Sequence, residues 1–103
     1  MLTPQAIEDF KGFLDNNIAY AKVTVNEEVK KIPIHRRERL KDGRVAVYLN
    51  ITPQAGTEAK IQRVQLYNKN KQLWADKTED ITLSNVQEGA LYRFVFRFVE
   101  QEV

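Results

Sequence analysis

The sequence feature that most constrains the fold is the stretch of residues 91–99 near the C-terminal end of the chain. Every second residue there is aromatic, and an extended strand places every second side chain on the same face. The aromatic side chains of that face are Tyr92, Phe94, Phe96 and Phe98. We therefore predict a β-strand that covers a hydrophobic core, with Arg93 and Arg97 on its opposite face, on either side of Val95.

Length and composition indicate one stable globular domain that covers residues 1–103. A chain of 103 residues is close to the commonest domain size, and its 43% hydrophobic and 29% charged residues are ordinary for a folded protein. The net charge of +2 is small for a dedicated nucleic-acid-binding domain. The chain has no cysteine, which excludes disulfide bonds, thiolate catalysis and cysteine-bound metals.

The N-terminal segment predicts a single helix over about residues 3–15. Thr3 can cap its first turn, and Pro4 fits the first helical position, where no backbone N–H is needed. Ile7, Phe10 and Leu14 recur at helical spacing and form an apolar face. We expect this face to pack on a sheet and to share a core with the aromatic strand.

From residue 18 to about residue 101 the period-two pattern of β-strands dominates. Turn residues separate three predicted hairpins, which pair residues 19–25 with 29–34, 37–40 with 44–52, and 61–67 with 72–75. A strand around residues 81–83 and the aromatic strand bring the total to about seven or eight. Pro33 restricts its strand to a sheet edge. The predicted fold is mainly β, an antiparallel β-sandwich or small barrel with the N-terminal helix packed on it.

Basic residues are concentrated in the middle of the chain and suggest one possible binding surface. A nucleic-acid interface needs several cations on one surface, with aromatic rings such as Tyr20 and Tyr48 for base stacking. Alternatively, the same cations lie on the solvated outer face of a hairpin, where they also prevent edge-to-edge aggregation. The candidate nucleic-acid-binding residues are Arg36, Arg37, Arg39, Lys41 and Arg44.

Trp74, Arg93 and Arg97 are the candidate residues for binding another protein chain. A tryptophan on a short strand after a turn can anchor an interface, although a core position between two sheets explains it equally. The two arginines can bind acidic groups of a partner, or they can lie over neighbouring strands and meet carboxylates of the same sheet. The sequence leaves these alternatives open.

The sequence carries no signature of an enzyme. His35 is the only histidine, so one chain cannot build a multi-histidine metal site. Asp76, Glu79 and Asp80 follow Trp74 and are typical of a polar turn. No glycine-rich phosphate loop, metalloprotease or nucleophile-elbow motif occurs. We expect a non-enzymatic protein without a cofactor, and no segment has the apolar length of a membrane span.

Three segments, the two described next and the aromatic strand, together resemble structural proteins of phage and prophage tails. The helix opening at residues 2–7 and the run at residues 61–75 are similar to tail-fibre and baseplate-associated domains, in which Leu66, Tyr67, Leu73 and Ala75 are the matching positions. The chain departs from that pattern where Asn70 and Lys71 replace a glycine in the hairpin turn.

The resemblance implies a structural or interaction protein that binds other chains of a tail or baseplate, with homo-oligomerisation as the usual consequence. We expect synthesis in the cytoplasm, because residues 1–5 lack the pattern of a signal sequence, and the resemblance implies association with the virion. The alternative function is a nucleic-acid-binding module that uses the basic hairpin over residues 30–44.

Overall fold

The computed structural model describes residues 1–52, 58–83 and 90–99, which form one helix followed by seven strands. The elements are α1 (Pro4–Asn17), β1 (Ile18–Val25), β2 (Glu28–Pro33), β3 (Arg36–Arg39), β4 (Val45–Ile51), β5 (Ala59–Asn68), β6 (Leu73–Leu83) and β7 (Ala90–Phe96). The mainly β class and the single N-terminal helix are therefore confirmed. Residues 100 and 101, the predicted end of the β-region, lie outside the described part.

The strands form two antiparallel sheets. The four-stranded sheet has the order β2-β1-β5-β6, and the three-stranded sheet has the order β3-β4-β7. All three predicted hairpins are confirmed, since β1 pairs with β2, β3 with β4, and β5 with β6. Pro33 ends β2, which lies at one edge of its sheet, as its missing backbone N–H requires. The arrangement is sandwich-like.

Local chemistry explains where the elements begin and turn. The Thr3 hydroxyl accepts a hydrogen bond from the Ala6 backbone N–H at 3.2 Å, which caps α1 as predicted. Gly43 lies in the turn between β3 and β4 with a φ of 90°, a conformation that glycine adopts without steric cost. Its N–H donates to the Leu40 carbonyl at 3.0 Å and so closes the tight turn.

The hydrophobic core lies between the two sheets and is built mainly by their inner strands. Aliphatic side chains from β1, β4 and β5 are almost completely buried there, together with one residue of the helix. The largest contributors are Leu14, Ile18, Val23, Val45, Val47, Leu49, Val64 and Leu66. Aliphatic side chains of moderate size from both sheets therefore supply most of the buried apolar surface.

The aromatic strand contributes to this core less than its sequence predicts. Tyr92, Phe94 and Phe96 pack against the core but are only partly buried. Their strand pairs only with β4 within the described residues, so one flank of the aromatic face is uncovered. Phe98 lies beyond the end of β7 and is exposed, and Phe10 of the helix is exposed as well. The prediction that these two residues join the core is wrong.

Strand β6 is longer than the sequence suggests. It runs unbroken from Leu73 to Leu83, so the separate strand around residues 81–83 is a continuation of it. The polar turn predicted from Asp76, Glu79 and Asp80 is wrong, because all three residues lie within the strand. β6 pairs with β5 from Leu73 to Leu83, and this pairing keeps its polar middle extended. A register shift opposite Ile61–Arg63 accommodates one extra residue of β6.

Candidate functional site

Helix α1 has two apolar faces, and only one of them is covered. Leu14 is buried in the core and Ile7 is half-buried, as the predicted amphipathic pattern requires. Phe10 and Phe13, three residues apart, lie on the other face with 55% and 59% of their surface exposed. Two phenylalanines on one solvent-facing helix surface are unusual, because burying such side chains is favourable by about 1.5 to 3 kcal/mol each.

Trp74 extends this exposed surface from the helix to the sheet. Its ring lies against Phe13, with 6.0 Å between ring centroids and an angle of 32° between ring planes, and it is 39% exposed. The register of β5 and β6 shifts at this point: Leu66 faces Ala75 and Tyr67 faces Leu73, so Trp74 has no opposite residue. Such a bulge redirects a side chain. We call Phe10, Phe13 and Trp74 the aromatic surface.

Trp74 is the one predicted partner-binding residue that the structure places in this surface. Arg93 is exposed on β7 in the other sheet, level with Tyr48 of β4. Arg97 follows the end of β7, so the regular strand face that was predicted to carry both arginines ends before Arg97. The helical spacing places Phe10 on the predicted core face, and only the packing of α1 shows that Phe10 and Phe13 are exposed.

The two sheets are tied together where β6 and β7 approach each other. The Tyr92 hydroxyl donates a hydrogen bond to Glu79 Oε1 at 3.1 Å, and the Lys77 ammonium lies 3.3 Å from the same oxygen. Burial and the neighbouring Glu79 carboxylate raise the pKa of Tyr92 to about 12. Both effects disfavour the phenolate, so this contact holds the phenol in its neutral form.

The basic hairpin distributes its cations over opposite faces. Arg36 lies on the outer face, 4.4 Å above the Tyr48 ring and 3.2 Å from Glu38 Oε2. Arg37, the next residue, points the other way and donates a hydrogen bond to the Ile18 carbonyl at 2.6 Å. This division follows from strand geometry, because successive side chains lie on opposite faces of the sheet.

The remaining candidate cations of the hairpin are held by carboxylates or lie in the turn. Arg39 bridges β3 to the helix, with one guanidinium nitrogen bonded to Glu8 and the other 3.0 Å from Asp15. Arg44 bonds Asp42 at 2.6 Å, and Lys41 is exposed in the same turn. The five predicted nucleic-acid-binding residues are therefore not brought together on one surface.

The outer face of the four-stranded sheet carries a cluster of two aromatic rings and two lysines that the sequence did not reveal. Tyr20 and Tyr67 stack with parallel rings and 5.2 Å between centroids, and Lys31 and Lys22 lie over these rings at 4.3 Å and 4.9 Å. The alternation of Tyr20 and Lys22 along β1 is visible in the sequence, but the strand that supplies Tyr67 is not. Because lysine ammonium groups cover the rings, they are poorly placed for base stacking.

The described part of the chain offers no arrangement that suits a metal ion. His35 is exposed between β2 and β3, and its backbone N–H donates to the Tyr48 carbonyl at 2.9 Å. Within residues 1–52, 58–83 and 90–99, no group of three or more histidine or carboxylate residues could hold a metal. Over the same residues, no helix is long and apolar enough to cross a membrane.

Comparison of the chain with protein-family models, with curated proteins and with solved structures found no match. Function is therefore inferred from the geometry of the chain itself.

Proposed function

We propose that this protein is a non-enzymatic interaction module that binds another protein chain through the aromatic surface. The observation that carries this proposal is the side-by-side exposure of Phe10, Phe13 and Trp74 on two different elements of the fold. The partner is a protein that presents aliphatic side chains, because the aromatic surface is predominantly apolar. The resemblance of residues 2–7 and 61–75 to tail proteins supports a place for this partner in a phage tail or baseplate.

The binding energy of the proposed interface comes from burying aromatic rings that are in contact with water in the free protein. Tryptophan and other large aromatic side chains dominate the binding energy of protein interfaces, typically because they enter a pocket from which water is excluded. Phe13 and Trp74 already support each other through ring contact, which fixes their positions before a partner arrives. A preorganised aromatic pair loses little conformational entropy on binding, so more of the burial energy remains as affinity.

The experiment uses Trp74 as a reporter, since it is the only tryptophan of the chain. The purified protein is studied by sedimentation velocity, alone and with the products of genes adjacent to its own. Trp74 emission is recorded in the same samples. We expect an association that shifts the emission to shorter wavelength and reduces quenching by acrylamide, because the ring leaves water.

A pair of variants tests whether the aromatic surface is responsible. Phe13→Ser removes a ring that is 59% exposed, and Val29→Ser changes an apolar residue on β2 with the same exposed fraction. We expect Phe13→Ser to weaken the association at least tenfold and Val29→Ser to leave it unchanged. Equal binding by both variants, or a protein that stays monomeric in every mixture, would reject the proposal.

The alternative, nucleic-acid binding by the hairpin over residues 30–44, is less well supported by the geometry. Arg37 and Arg39 make contacts within the protein, and Arg36 lies on the opposite face. This alternative predicts binding to a fluorescent single-stranded oligonucleotide that weakens steeply between 50 and 200 mM salt, roughly 10- to 1,000-fold for three or more phosphate contacts. Anisotropy titrations that show no binding at low salt would exclude it.

A further inference from the structure

A cleft opens between α1, the turn that joins β3 to β4, and the segment that follows β7. Its volume is about 460 Å³, within the range of small-molecule sites in proteins. Its lining combines apolar side chains with cationic ones. The lining residues used below are Ile7, Phe10, Lys11, Arg97, Phe98 and Val99.

Lys11 is a charged residue that lines the cleft and is largely covered by the protein. Only 8% of its surface is exposed, although it is charged. The nearest carboxylate oxygen, Oε1 of Glu8, is 3.9 Å from the ammonium nitrogen, which is too far for a hydrogen bond. The other oxygen of Glu8 is bonded to Arg39. Within the described residues, the Lys11 ammonium donates no hydrogen bond to the protein.

Packing covers the stem of Lys11, whereas its ammonium nitrogen, which no acceptor of the described residues binds, is not among the fully buried polar atoms. The Lys11 ammonium lies close to the backbone of the turn, where a Cβ atom built on Gly43 would be 3.6 Å from its nitrogen. The remaining direction open to it is the cleft that it lines. An anionic group in the cleft would give the ammonium a charged hydrogen-bond acceptor.

The ion pairs around the cleft show which of its cations an anionic ligand can bind. Arg97 is exposed and forms no ion pair within the described part of the chain, so it offers a second cation. Arg44 is already paired with Asp42 at 2.6 Å. The Arg44 backbone N–H and its guanidinium lower the pKa of Asp42, which keeps a negative charge at the rim. With Arg44 and Asp42 paired to each other, Lys11 and Arg97 are the cations left for an anionic ligand.

The apolar side chains of the cleft indicate what the anionic group is attached to. Phe10 and Phe98 are both exposed, and Ile7 and Val99 line the cleft with them. We propose that the cleft binds a carboxylate that carries an apolar group, with the carboxylate on Lys11 and Arg97 and the apolar group against Phe10 and Phe98. A free aliphatic acid and the C-terminal residue of a peptide share this chemistry.

The first experiment compares two ligands that differ only in their charged group. The ¹⁵N-labelled full-length protein is titrated with hexanoate and with 1-hexanol, and amide chemical shifts are followed. We expect hexanoate to shift the amides of α1 and of the turn at Gly43, with an affinity at least tenfold higher than that of 1-hexanol. Equal affinities, shifts confined to another face, or no shifts with hexanoate would overturn the proposal.

The second experiment tests the role of Lys11. Lys11→Met removes the ammonium and keeps the apolar stem, which packing covers, so the variant should fold. Lys41→Met removes an exposed lysine from the neighbouring turn and serves as the control. We expect only Lys11→Met to abolish the preference for hexanoate over 1-hexanol. An unchanged preference in Lys11→Met would assign the binding to other cations and reject the proposed site.

The third experiment distinguishes the two sources of the carboxylate. A tetrapeptide that ends in leucine is titrated with a free and with an amidated C-terminus, next to hexanoate. Tighter binding of the free peptide than of hexanoate identifies a chain terminus as the ligand. The reverse order identifies a free acid. Equal binding of the free and the amidated peptide, at the affinity of hexanoate, would contradict carboxylate recognition altogether.

Discussion

Arg36 and Arg37 offer a test of whether the basic hairpin is structural, because they are adjacent in β3 and face opposite ways. Arg37 donates a hydrogen bond to the carbonyl of Ile18, a residue buried at the junction of α1 and β1. This bond joins the three-stranded sheet to the four-stranded one. We predict that Arg37→Gln destabilises the protein and that Arg36→Gln has little effect.

The expected magnitudes follow from these contacts. A hydrogen bond that involves a charged donor contributes about 1.5 to 3 kcal/mol, and its loss leaves a carbonyl without its partner. Because the Arg37 side chain is itself partly exposed, we expect a loss of about 2 kcal/mol. Arg36 makes an exposed ion pair and an exposed contact with a ring, so its replacement should cost about 0.5 kcal/mol.

Urea unfolding followed by Trp74 fluorescence and by far-ultraviolet circular dichroism measures both variants. With a slope of about 1 to 3 kcal/mol per M urea, a loss of 2 kcal/mol lowers the midpoint by roughly 1 M. The corresponding decrease in melting temperature is about 8 to 16 °C for a domain near 100 residues. Arg36→Gln should move the midpoint by less than a third of that amount.

Equal midpoint shifts in the two variants would refute the assignment of opposite faces. A shift below about 0.5 kcal/mol in Arg37→Gln would show that the bond to the Ile18 carbonyl contributes nothing. In that case the arginines of β3 would again be available as a common cationic surface.

Three further predictions concern the open side of the sandwich and its ion pairs. Phe96→Ala should lower the free energy of unfolding in urea by about 2 to 3 kcal/mol, less than the loss at a fully buried phenylalanine. The ring is partly exposed, but it stacks on Phe94 with 5.2 Å between ring centroids. A loss below about 1 kcal/mol would place the ring outside the core. Because the pKa of Tyr92 is raised in the folded protein, the Tyr92 phenol loses its proton at a lower pH in the unfolded chain than in the folded one. The free energy of unfolding should therefore fall between pH 10 and 12, by on the order of 1 kcal/mol after allowance for solvent screening. Tyr92→Phe should abolish that fall, and a fall of the same size in the variant would assign it to other groups. A hydrogen bond from Arg63 lowers the pKa of Asp76. In Arg63→Gln, the pKa of this carboxyl group measured by NMR should therefore return towards the ordinary value of 3.8. An unchanged pKa would contradict the ion pair.

The elements of this fold that depend on neighbours in the sequence were predictable. The Thr3 cap, the glycine turn at Gly43 and the three hairpins are decided within a few residues, so the sequence shows them directly. The extent of β6 was not predictable, because its polar middle is extended only through pairing with β5. Polar residues are acceptable in a strand whose outer face and edge are solvated.

The candidate site was predictable only in part. Trp74 was recognisable as an interface candidate from its residue type, but its exposure depends on a bulge that no local pattern marks. Phe10 was assigned to the core because its helical spacing fits that of Ile7 and Leu14. Only the packing of the helix shows which apolar face is covered and which is not.

The amino-acid sequence by itself determined the class of this protein: one N-terminal helix, antiparallel hairpins and a core of β-prone side chains. Turn chemistry and period-two alternation act over short distances, so a linear pattern contains them. The tertiary structure decided which aromatic residues remain in water, which arginines bond to other elements of the fold, and how Lys11 and Arg97 come to line one cleft. Those arrangements join residues far apart along the chain, and their energies arise only when the two sheets and the helix pack together.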